Sequence, residues 1–241
     1  METPRSIEAA WGLRDRPRKG PKPALTLSKI ADAGIAVAAR DGLDAVSMAR
    51  VAAELSVAPM SLYRYVESKD ELLQLMADTA LGPPPQPAET GTWRDRLAAW
   101  AWASRAAMYR HPWALRVPIA GLPAYPNNCA WFEAGLAALA DTPLTEVQKA
   151  SVTLLISGYV RNDATIGADI GAAMQASGDP QQWMTGYRDL LAKLTDPIRF
   201  PAITRLLQAG VFDQADGPDD EFVFGLDRIL DGIARLIEDG G

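Results

Sequence analysis

Residues 47–73 read SMARVAAELSVAPMSLYRYVESKDELL, and this stretch decides the fold of the first part of the chain. Ser47 is suited to cap a short helix whose apolar positions lie three and four residues apart. After a tight break, Pro59 marks the start of a second short helix, because proline is tolerated in the first helical turn. Ser68 and Glu71 form a capping box that opens a third helix. Two short helices joined by a tight turn predict a helix-turn-helix.

The residues on either side complete a small helical domain. Apolar residues at helical spacing between Leu27 and Ala38 predict a preceding helix, which ends at Gly42. Residues 82–87 contain four prolines, and such a run is not helical, so it marks a domain boundary. The predicted parts are a flexible arm, a helix-turn-helix domain, a linker and a second helical domain, at residues 1–24, 25–81, 82–91 and 92–241.

The second domain reads as helices separated by glycine and proline. No segment alternates apolar and polar residues as a strand would, so the predicted fold class is all-α. The predicted helices span residues 93–110, 127–140, 142 or 144 to 174, 180–194, 201–209 and 218–238. No apolar run approaches the roughly 18 residues that cross a bilayer, so we expect no membrane partner. The N-terminus has no apolar signal segment, and we expect a cytoplasmic protein.

Two scarce residue types limit the possible chemistry. His111 is the only histidine and Cys129 the only cysteine. Structural zinc takes four such ligands, and helical di-iron sites take paired Glu-x-x-His motifs, so we predict no metal and no cofactor. A Ser-His-Asp triad would depend on His111, which lies beside no nucleophile elbow. An enzyme that uses Asp163 or Asp169 on a helical body is therefore the weaker alternative.

Charge is distributed unevenly along a chain whose net charge is −6. Between residues 14 and 29, six basic side chains accompany a single acid, Asp15, whereas acidic side chains gather at residues 213–221. Such asymmetry is expected if only the first part of the chain meets phosphate, although a charged tail can also be merely solvated. The arm residues that we expect to contact DNA are Arg14, Arg16, Arg18 and Lys19.

Several segments together strongly resemble the DNA-binding domain of the TetR family. They are AGI at 33–35, GLDAVSM at 42–48, VAAEL at 51–55, SLYRYV at 61–66 and SKDELL at 68–73. The resemblance is continuous over nearly 60 residues. Residues 222–233, FVFGLDRILDGI, and residues 109–113, YRHPW, are similar to the branch of the family that contains the tetracycline repressor.

The resemblance implies a ligand-responsive transcriptional repressor. Such a protein binds a palindromic operator in double-stranded DNA as a homodimer, and a small-molecule effector, whose identity the sequence does not supply, releases it. The implied phosphate contacts are Ser47, Ser61, Tyr65 and Lys69, and the implied base contacts are Ala58, Pro59, Met60 and Arg64, with Tyr63 packed between helix and backbone. Ala49 stands where the tetracycline repressor reads guanine with arginine, so the operator differs. Ser56 replaces the glycine of the turn, where a positive φ is easier for glycine.

Polar residues midway along the long predicted helix indicate a ligand pocket, because pockets are mostly apolar with a few placed polar groups. The candidate ligand contacts are Trp100, Trp113, Trp131, Phe132, Arg161, Asn162 and Asp163. For each aromatic residue, core packing is the alternative. Pro118 and Gly167 align roughly with the family's metal-binding histidine and supporting glutamate, so we do not expect recognition of a magnesium–tetracycline chelate.

The last predicted helix carries an apolar stripe at i, i+3, i+4 and i+7 spacing, which needs a partner surface. Intramolecular core is one interpretation, and the family resemblance implies the other, a dimer contact. The candidate dimer residues are Phe222, Leu226, Ile229, Leu230, Ile233 and Ile237. A further alternative for the whole chain is a helical ligand-binding or interaction module that does not bind DNA, which Ala49 and the net acidity favour.

Overall fold

The computed structural model describes residues 4–13, 25–86, 90–119, 124–213, 217 and 219–240, and all regular structure within these ranges is helical. The all-α prediction is therefore confirmed. The helices are α1 (Arg5–Ala10), α2 (Leu27–Asp41), α3 (Met48–Glu54), α4 (Pro59–Leu62), α5 (Lys69–Leu81), α6 (Trp93–Arg110), α7 (Pro126–Ala138), α8 (Glu146–Ser177), α9 (Pro180–Leu194), α10 (Pro201–Gln208) and α11 (Asp220–Glu238). Two 3₁₀ helices lie at Leu43–Ala45 and Pro112–Arg116.

Residues 25–81, which we call the head, fold around a dense core. Ile30 of α2, Leu62 of α4 and Met76 of α5 are fully buried there. Helices α2 and α5 approach closely at Gly34, where a Cβ atom would lie 2.5 Å from the Met76 sulfur. Glycine at this position leaves room for the Met76 side chain, which would have to move if residue 34 carried a Cβ atom.

The two predicted caps of the head, Ser47 and Ser68, are present, and each accepts a hydrogen bond from the backbone N–H three residues later. Thr26 caps α2 in the same way, which the sequence patterns did not predict. The second helix of the motif is shorter than the predicted 59–66, because residues 63–65 form turns after Leu62. Backbone bonds from the Tyr65 and Val66 N–H groups to the Leu62 carbonyl hold these turns.

The flexible arm predicted for residues 1–24 is wrong for residues 5–10, which form α1. This helix is ordered by tertiary packing, since Ser6 is buried and Ile7 and Ala10 pack against the head core. The short sequence of α1 gives no strong helical period, and the surface that orders it is remote in sequence. Arg14, Arg16, Arg18 and Lys19 lie outside the described residues.

Helices α6 and α7 and residues 146–164 of α8 form a second region of the same compact unit as the head, and we call it the body. At Gly135 of α7, an added Cβ atom would lie 2.6 Å from the Thr153 methyl carbon and 3.1 Å from the Trp100 ring. The absence of a side chain at Gly135 therefore lets α6, α7 and α8 pack closely. A capping box of Thr92 and Asp95 starts α6.

The compact unit formed by residues 165–229 contains the end of α8, α9, α10 and the start of α11. The Trp183 and Tyr187 rings stack with centroids 6.3 Å apart, and Phe212 meets Tyr187 edge-on at 5.6 Å. Arg188 forms ion pairs with Asp189 and Asp213. Among the described residues of α9 and α10, no side chain is buried.

The apolar stripe of α11 belongs to the chain's own interior. Phe222, Leu226, Leu230 and Ile233, four of the predicted dimer residues, are at most 4% exposed within one chain, so the single chain already covers these side chains. Ile229 and Ile237 are half-buried. The periodicity showed that this face would be covered, but a stripe does not reveal whether its own chain or a partner covers it. Among the described residues, no helix combines the length and hydropathy that a bilayer crossing requires.

Candidate nucleic-acid interface and effector region

The turn between α3 and α4 fixes the geometry of the motif. Ser56 has a φ of 55°, in the left-handed region that the glycine of the family turn would occupy more easily. Backbone bonds from Ser56 N to the Ala53 carbonyl and from Val57 N to the Ala52 carbonyl close the turn at 3.0 and 2.9 Å. Serine therefore supports the tight turn, at a cost of about 1–2 kcal/mol for a left-handed L residue.

Helix α4 separates a buried face from an exposed one. Leu62 is fully buried, whereas Met60 is 72% exposed. Ala58, Pro59 and Arg64, the other predicted base contacts, are also exposed. Tyr63, for which the resemblance implies a packed position, is instead 42% exposed. This open surface presents small, apolar and cationic groups side by side, as contact with base edges in a major groove requires.

The four predicted phosphate contacts differ in their surroundings. Ser47 is exposed, and its oxygen accepts a bond from Arg50 N at 3.2 Å, which leaves its hydroxyl proton available to a phosphate. Lys69 is exposed in the first turn of α5, where the helix N-terminus also favours an anion. Ser61 and Tyr65 are half-buried. The Tyr65 hydroxyl donates to the Leu25 carbonyl at 2.9 Å, which ties the segment before α2 to the turn that follows α4.

An ionic cluster, which the sequence patterns do not predict, joins α2 to α3. The Arg40 guanidinium binds both carboxylate oxygens of Glu54 at 3.3 and 3.1 Å, and Arg50 binds Asp41 at 2.9 Å. Hydrogen bonds from Arg40 hold the pKa values of Asp41 and Glu54 below their usual range. Arg50 follows Ala49 in sequence. The cation nearest to Ala49 along α3 is therefore held in the ion pair with Asp41. No local spacing reveals a pair that is 14 residues apart.

Two predicted ligand contacts lie together near the 3₁₀ helix Pro112–Arg116. The Arg161 guanidinium donates to the carbonyls of Leu115 and Val117 at 2.8 and 3.2 Å, and burial lowers the pKa of Arg161. Trp113 is half-buried and packs against the head core. Its indole N–H is buried without an acceptor among the described residues. A buried donor of this kind is rare and can receive an acceptor from a bound molecule.

Asp163 belongs to a second group. It accepts a bond from Arg105 at 2.7 Å, and both side chains are largely enclosed. The Arg105 guanidinium also lies over the Trp102 and Tyr109 rings, 5.4 and 4.9 Å from their centroids. Asn162, its neighbour in sequence, is exposed. The ion pair thus joins α6 to α8, whereas the cation–π contacts lie within α6 and hold the Arg105 guanidinium in place.

The remaining predicted ligand contacts form a third group, whose two tryptophans are packed and hydrogen-bonded like core residues. Trp100 and Trp131 are buried, and their indole N–H groups donate to the carbonyls of Trp131 and Gly82 at 3.0 and 2.8 Å. Phe132 is half-buried. Trp100 also forms one wall of a cleft, whose other lining residues are Pro85, Gln86, Arg96, Ala99, Ala134, Ala137 and Ala138.

Helix α5 connects the head to the body through a buried carboxylate that the sequence analysis did not single out. Asp78 accepts four hydrogen bonds, from the backbone and side-chain N–H groups of Asn127 and Asn128, at 2.7–3.3 Å. It thereby caps the first turn of α7 from another helix. Gln74 donates to the Pro118 carbonyl at 2.7 Å. Within the described ranges, no group of three or more potential His, Cys, Asp or Glu ligands could hold a metal ion.

Comparison with known proteins identifies both parts of the chain. Residues 30–76 match the model for bacterial regulatory proteins of the tetR family, and residues 84–237 match the model for the tetracyclin repressor-like C-terminal domain. The HTH-type transcriptional repressor DrrR1 of Streptomyces coeruleorubidus is 38% identical, over 97% of this chain and 86% of that protein.

Solved structures of one regulator share the fold over nearly the whole chain. ActR of Streptomyces coelicolor in complex with actinorhodin is 27% identical and has a TM-score of 0.74, covering 92% of this chain and 100% of that one. ActR in complex with (S)-DNPA is 26% identical and has a TM-score of 0.68, covering 88% of this chain and 98% of that one.

Proposed function

The chain belongs to the TetR family of bacterial regulatory proteins, and we propose that it is a repressor that leaves a palindromic operator when a small molecule binds its body. The observation that carries this proposal is the exposed surface of α4 on a rigid helix-turn-helix. A dimer would place two such helices about 34–36 Å apart, one turn of DNA. The 38% identical relative is named as a repressor, which supports repression over activation.

The DNA-binding step can be tested with the DNA upstream of the protein's own gene. Fluorescence anisotropy should show specific binding to one fragment, with affinity tighter than for scrambled DNA by about a thousandfold or more. Arg64→Ala should weaken binding to this fragment, whereas Glu133→Ala, an exposed change on α7, should leave it unaltered. Equal affinity for specific and scrambled DNA would favour the module without DNA binding.

For the effector, we propose that Trp113 and Arg161 contribute to its site. The buried indole N–H of Trp113 supplies a donor, and Arg161 lies against the same 3₁₀ helix. Actinorhodin, the ligand of the structurally similar ActR, is a suitable probe. It should bind the protein in calorimetry and release it from DNA, and Trp113→Phe should weaken its binding. Tyr109→Phe is a matched aromatic control, and equal losses in both variants would argue against the assigned site.

The dimer surface that we propose is the outer stripe of α8, because the stripe of α11 is internal. The residues of the α8 stripe are exposed and mostly small or apolar, namely Val147, Ser151, Leu154, Leu155 and Gly158. Leu154 and Leu155 are each more than half exposed in the single chain. Large apolar groups at helical spacing on an open face are typical of an interface between subunits.

Gly158 offers a clean test of this surface. A Cβ atom at Gly158 meets open space in the single chain, so a side chain there is compatible with folding. Gly158→Glu should produce monomers in light scattering and abolish operator binding, with helical circular dichroism retained. Gly158→Ala should remain dimeric. A Gly158→Glu protein that stays dimeric at micromolar concentration would place the contact elsewhere.

We further propose that the basic segment of residues 14–24 contacts DNA. The head carries five lysine and arginine residues against eight aspartate and glutamate residues, so it is itself acidic. Residues 14–24 supply five basic residues and one acidic residue. Arginine in such a segment is attracted to a narrow minor groove, and each neutralised phosphate steepens the log–log salt dependence of binding by about 0.9.

Charge substitution tests this segment better than deletion, because deletion would also remove α1. Replacing Arg14, Arg16 and Arg18 together by serine should weaken operator binding and make its salt dependence shallower. The dimer should persist in light scattering. Unchanged affinity and slope would mean that the segment is only solvated.

A further inference from the structure

Helix α1 carries a buried hydroxyl that bridges two distant parts of the chain. Ser6 is fully buried. Its backbone N–H donates to a Glu71 carboxylate oxygen at 3.2 Å, and its hydroxyl donates to the same oxygen. Since that proton is committed to Glu71, the Tyr125 hydroxyl donates to the Ser6 oxygen, at 2.7 Å. A single serine thus joins the first turn of α5 to the residue that precedes α7.

A second bond runs parallel to this bridge. The Trp11 indole N–H donates to the Ala124 carbonyl at 2.8 Å. Both ends of the α1 segment therefore hold residues 124–125, which lead into α7 of the body. The first turn of α7 is held from the other side by Asp78 of α5. Burial raises the pKa of Tyr125 to about 12, so its hydroxyl remains protonated and able to donate throughout the working range of the protein.

On the head side, the bridge ends beside the DNA-contacting surface. Glu71 also accepts a hydrogen bond from the Glu67 backbone N–H, which fixes the chain between α4 and α5. Lys69, a proposed phosphate contact, lies within this fixed stretch. The exposed ion pair of Arg5 with Glu67 lies at the same place and contributes little. The family match begins at residue 30, so α1 lies outside the part of the chain that the family model describes.

We propose that α1 is a strap that holds the head in a fixed position relative to the body through Ser6, and that operator affinity depends on this strap. The physical reason is preorganisation. A head that moves on its body must lose that freedom when both halves of a palindrome are bound, and the loss weakens binding. Buried, fully satisfied polar networks specify one arrangement more sharply than apolar contacts do.

The affinity part of this inference rests on the proposed DNA-binding function, whereas the strap itself does not. Ser6→Ala removes both hydroxyl bonds of Ser6, and Tyr125→Phe removes the Tyr125 bond to Ser6 together with the long contact, 3.5 Å, from the Tyr125 hydroxyl to the Glu71 carbonyl. Each variant should weaken operator binding about two- to tenfold, the value of one buried hydrogen bond. The double variant should be no weaker than Ser6→Ala, because the bridge is already broken. A purely structural role of α1 within the head would leave the affinity of Tyr125→Phe unchanged.

The single cysteine gives a readout that needs no DNA. Cys129 lies in the first turn of α7, where its N–H donates to the Tyr125 carbonyl, and burial raises the pKa of its thiol. Loosening of residues 124–125 should therefore speed alkylation of Cys129 by iodoacetamide at least twofold in Ser6→Ala and Tyr125→Phe. Leu13→Ala, a change of a 75% exposed side chain in the same segment, is the matched control and should alter neither readout.

The outcomes separate the two proposals. Wild-type rates of alkylation in both variants would overturn the strap, whatever the protein does with DNA. Faster alkylation with unchanged operator affinity would overturn the dependence of binding on the strap. Failure of the wild-type protein to bind any DNA would overturn the proposed function, and the alkylation rates would then decide the strap alone.

Discussion

The head and the unit of residues 165–229 use their apolar residues in opposite ways. In the head, α2, α3, α4 and α5 all contribute fully buried side chains to one core. In the other unit, Phe222 and Leu226 are the only buried large apolar side chains among the described residues, whereas Leu190, Leu194 and Ile198 are at least half exposed. The head is therefore stabilised by its own interior, and residues 165–229 expose apolar area that the single chain does not use.

This difference bears on the functions that we propose. A DNA-reading surface requires side chains in fixed positions, and a dense core supplies them. Exposed apolar side chains at the density found in residues 165–229 are typical of surfaces that another molecule covers.

The largest expected effect follows from opening the head core. Leu62→Ala should lower the free energy of unfolding by about 2–4 kcal/mol, because it removes a fully buried side chain from α4. Urea unfolding followed by circular dichroism measures this change. Met60→Ala, two residues away on the exposed face, should stay within about 0.5 kcal/mol of the wild type. Similar losses in both variants would show that the two faces of α4 are not distinct.

A second variant tests whether the rigid packing of the head extends into α7 of the body. Asp78→Ala should lower the free energy of unfolding by about 2–3 kcal/mol, because the N–H groups of Asn127 and Asn128 lose their acceptor in a buried place. Thermal and urea unfolding both measure this loss. Glu133→Ala, on the exposed side of α7, serves as the control. A loss below about 0.5 kcal/mol would mean that the contact of Asp78 with the start of α7 contributes little to stability and that the rigid packing ends with the head.

A substitution in the turn between α3 and α4 is expected to have a smaller effect of opposite sign on the free energy of unfolding. Ser56→Gly should raise the free energy of unfolding by about 0.5–1 kcal/mol, since glycine adopts the observed positive φ without strain. The melting temperature should rise accordingly, and operator affinity should not fall. A destabilised Ser56→Gly protein would indicate that serine relieves its strain by a contact that glycine cannot make.

The smallest effect is expected in residues 165–229. Leu190→Ala should change the free energy of unfolding by less than about 0.5 kcal/mol in the Gly158→Glu background, where we expect a monomer, because the side chain is half exposed. The same substitution in the dimer gives the informative comparison. A loss of 1 kcal/mol or more there, and not in the monomer, would show that a partner subunit covers Leu190.

Local patterns predicted the helices of the head because their signals are local. Ser47, Pro59 and Ser68 act on neighbouring backbone groups, and the capping bonds of the two serines are observed. The exposure of Met60 follows from its place opposite the buried Leu62 on the same short helix. Glycine and proline likewise marked the starts and ends of most helices in the second domain.

The largest differences between the sequence expectations and the structure concern partners remote in sequence. The stripe of α11 has the correct period but an intramolecular cover, and Trp100 and Trp131 have the composition of a pocket but the hydrogen bonds of a core. An aromatic or apolar residue gains similar free energy from any surface that removes it from water. The residue type therefore does not specify which surface covers it.

The sequence by itself determined that the chain is helical, that a helix-turn-helix lies between Leu25 and Leu81, and that the family is TetR. Only the tertiary structure decided that residues 5–10 form a helix and that Ser6 bonds to Tyr125, 119 residues away. Caps, turns and periodicity act within one or two helical turns, so the residues that make these contacts are also close in sequence. A hydrogen bond between distant residues depends on the folding of everything between them, and no local pattern encodes it.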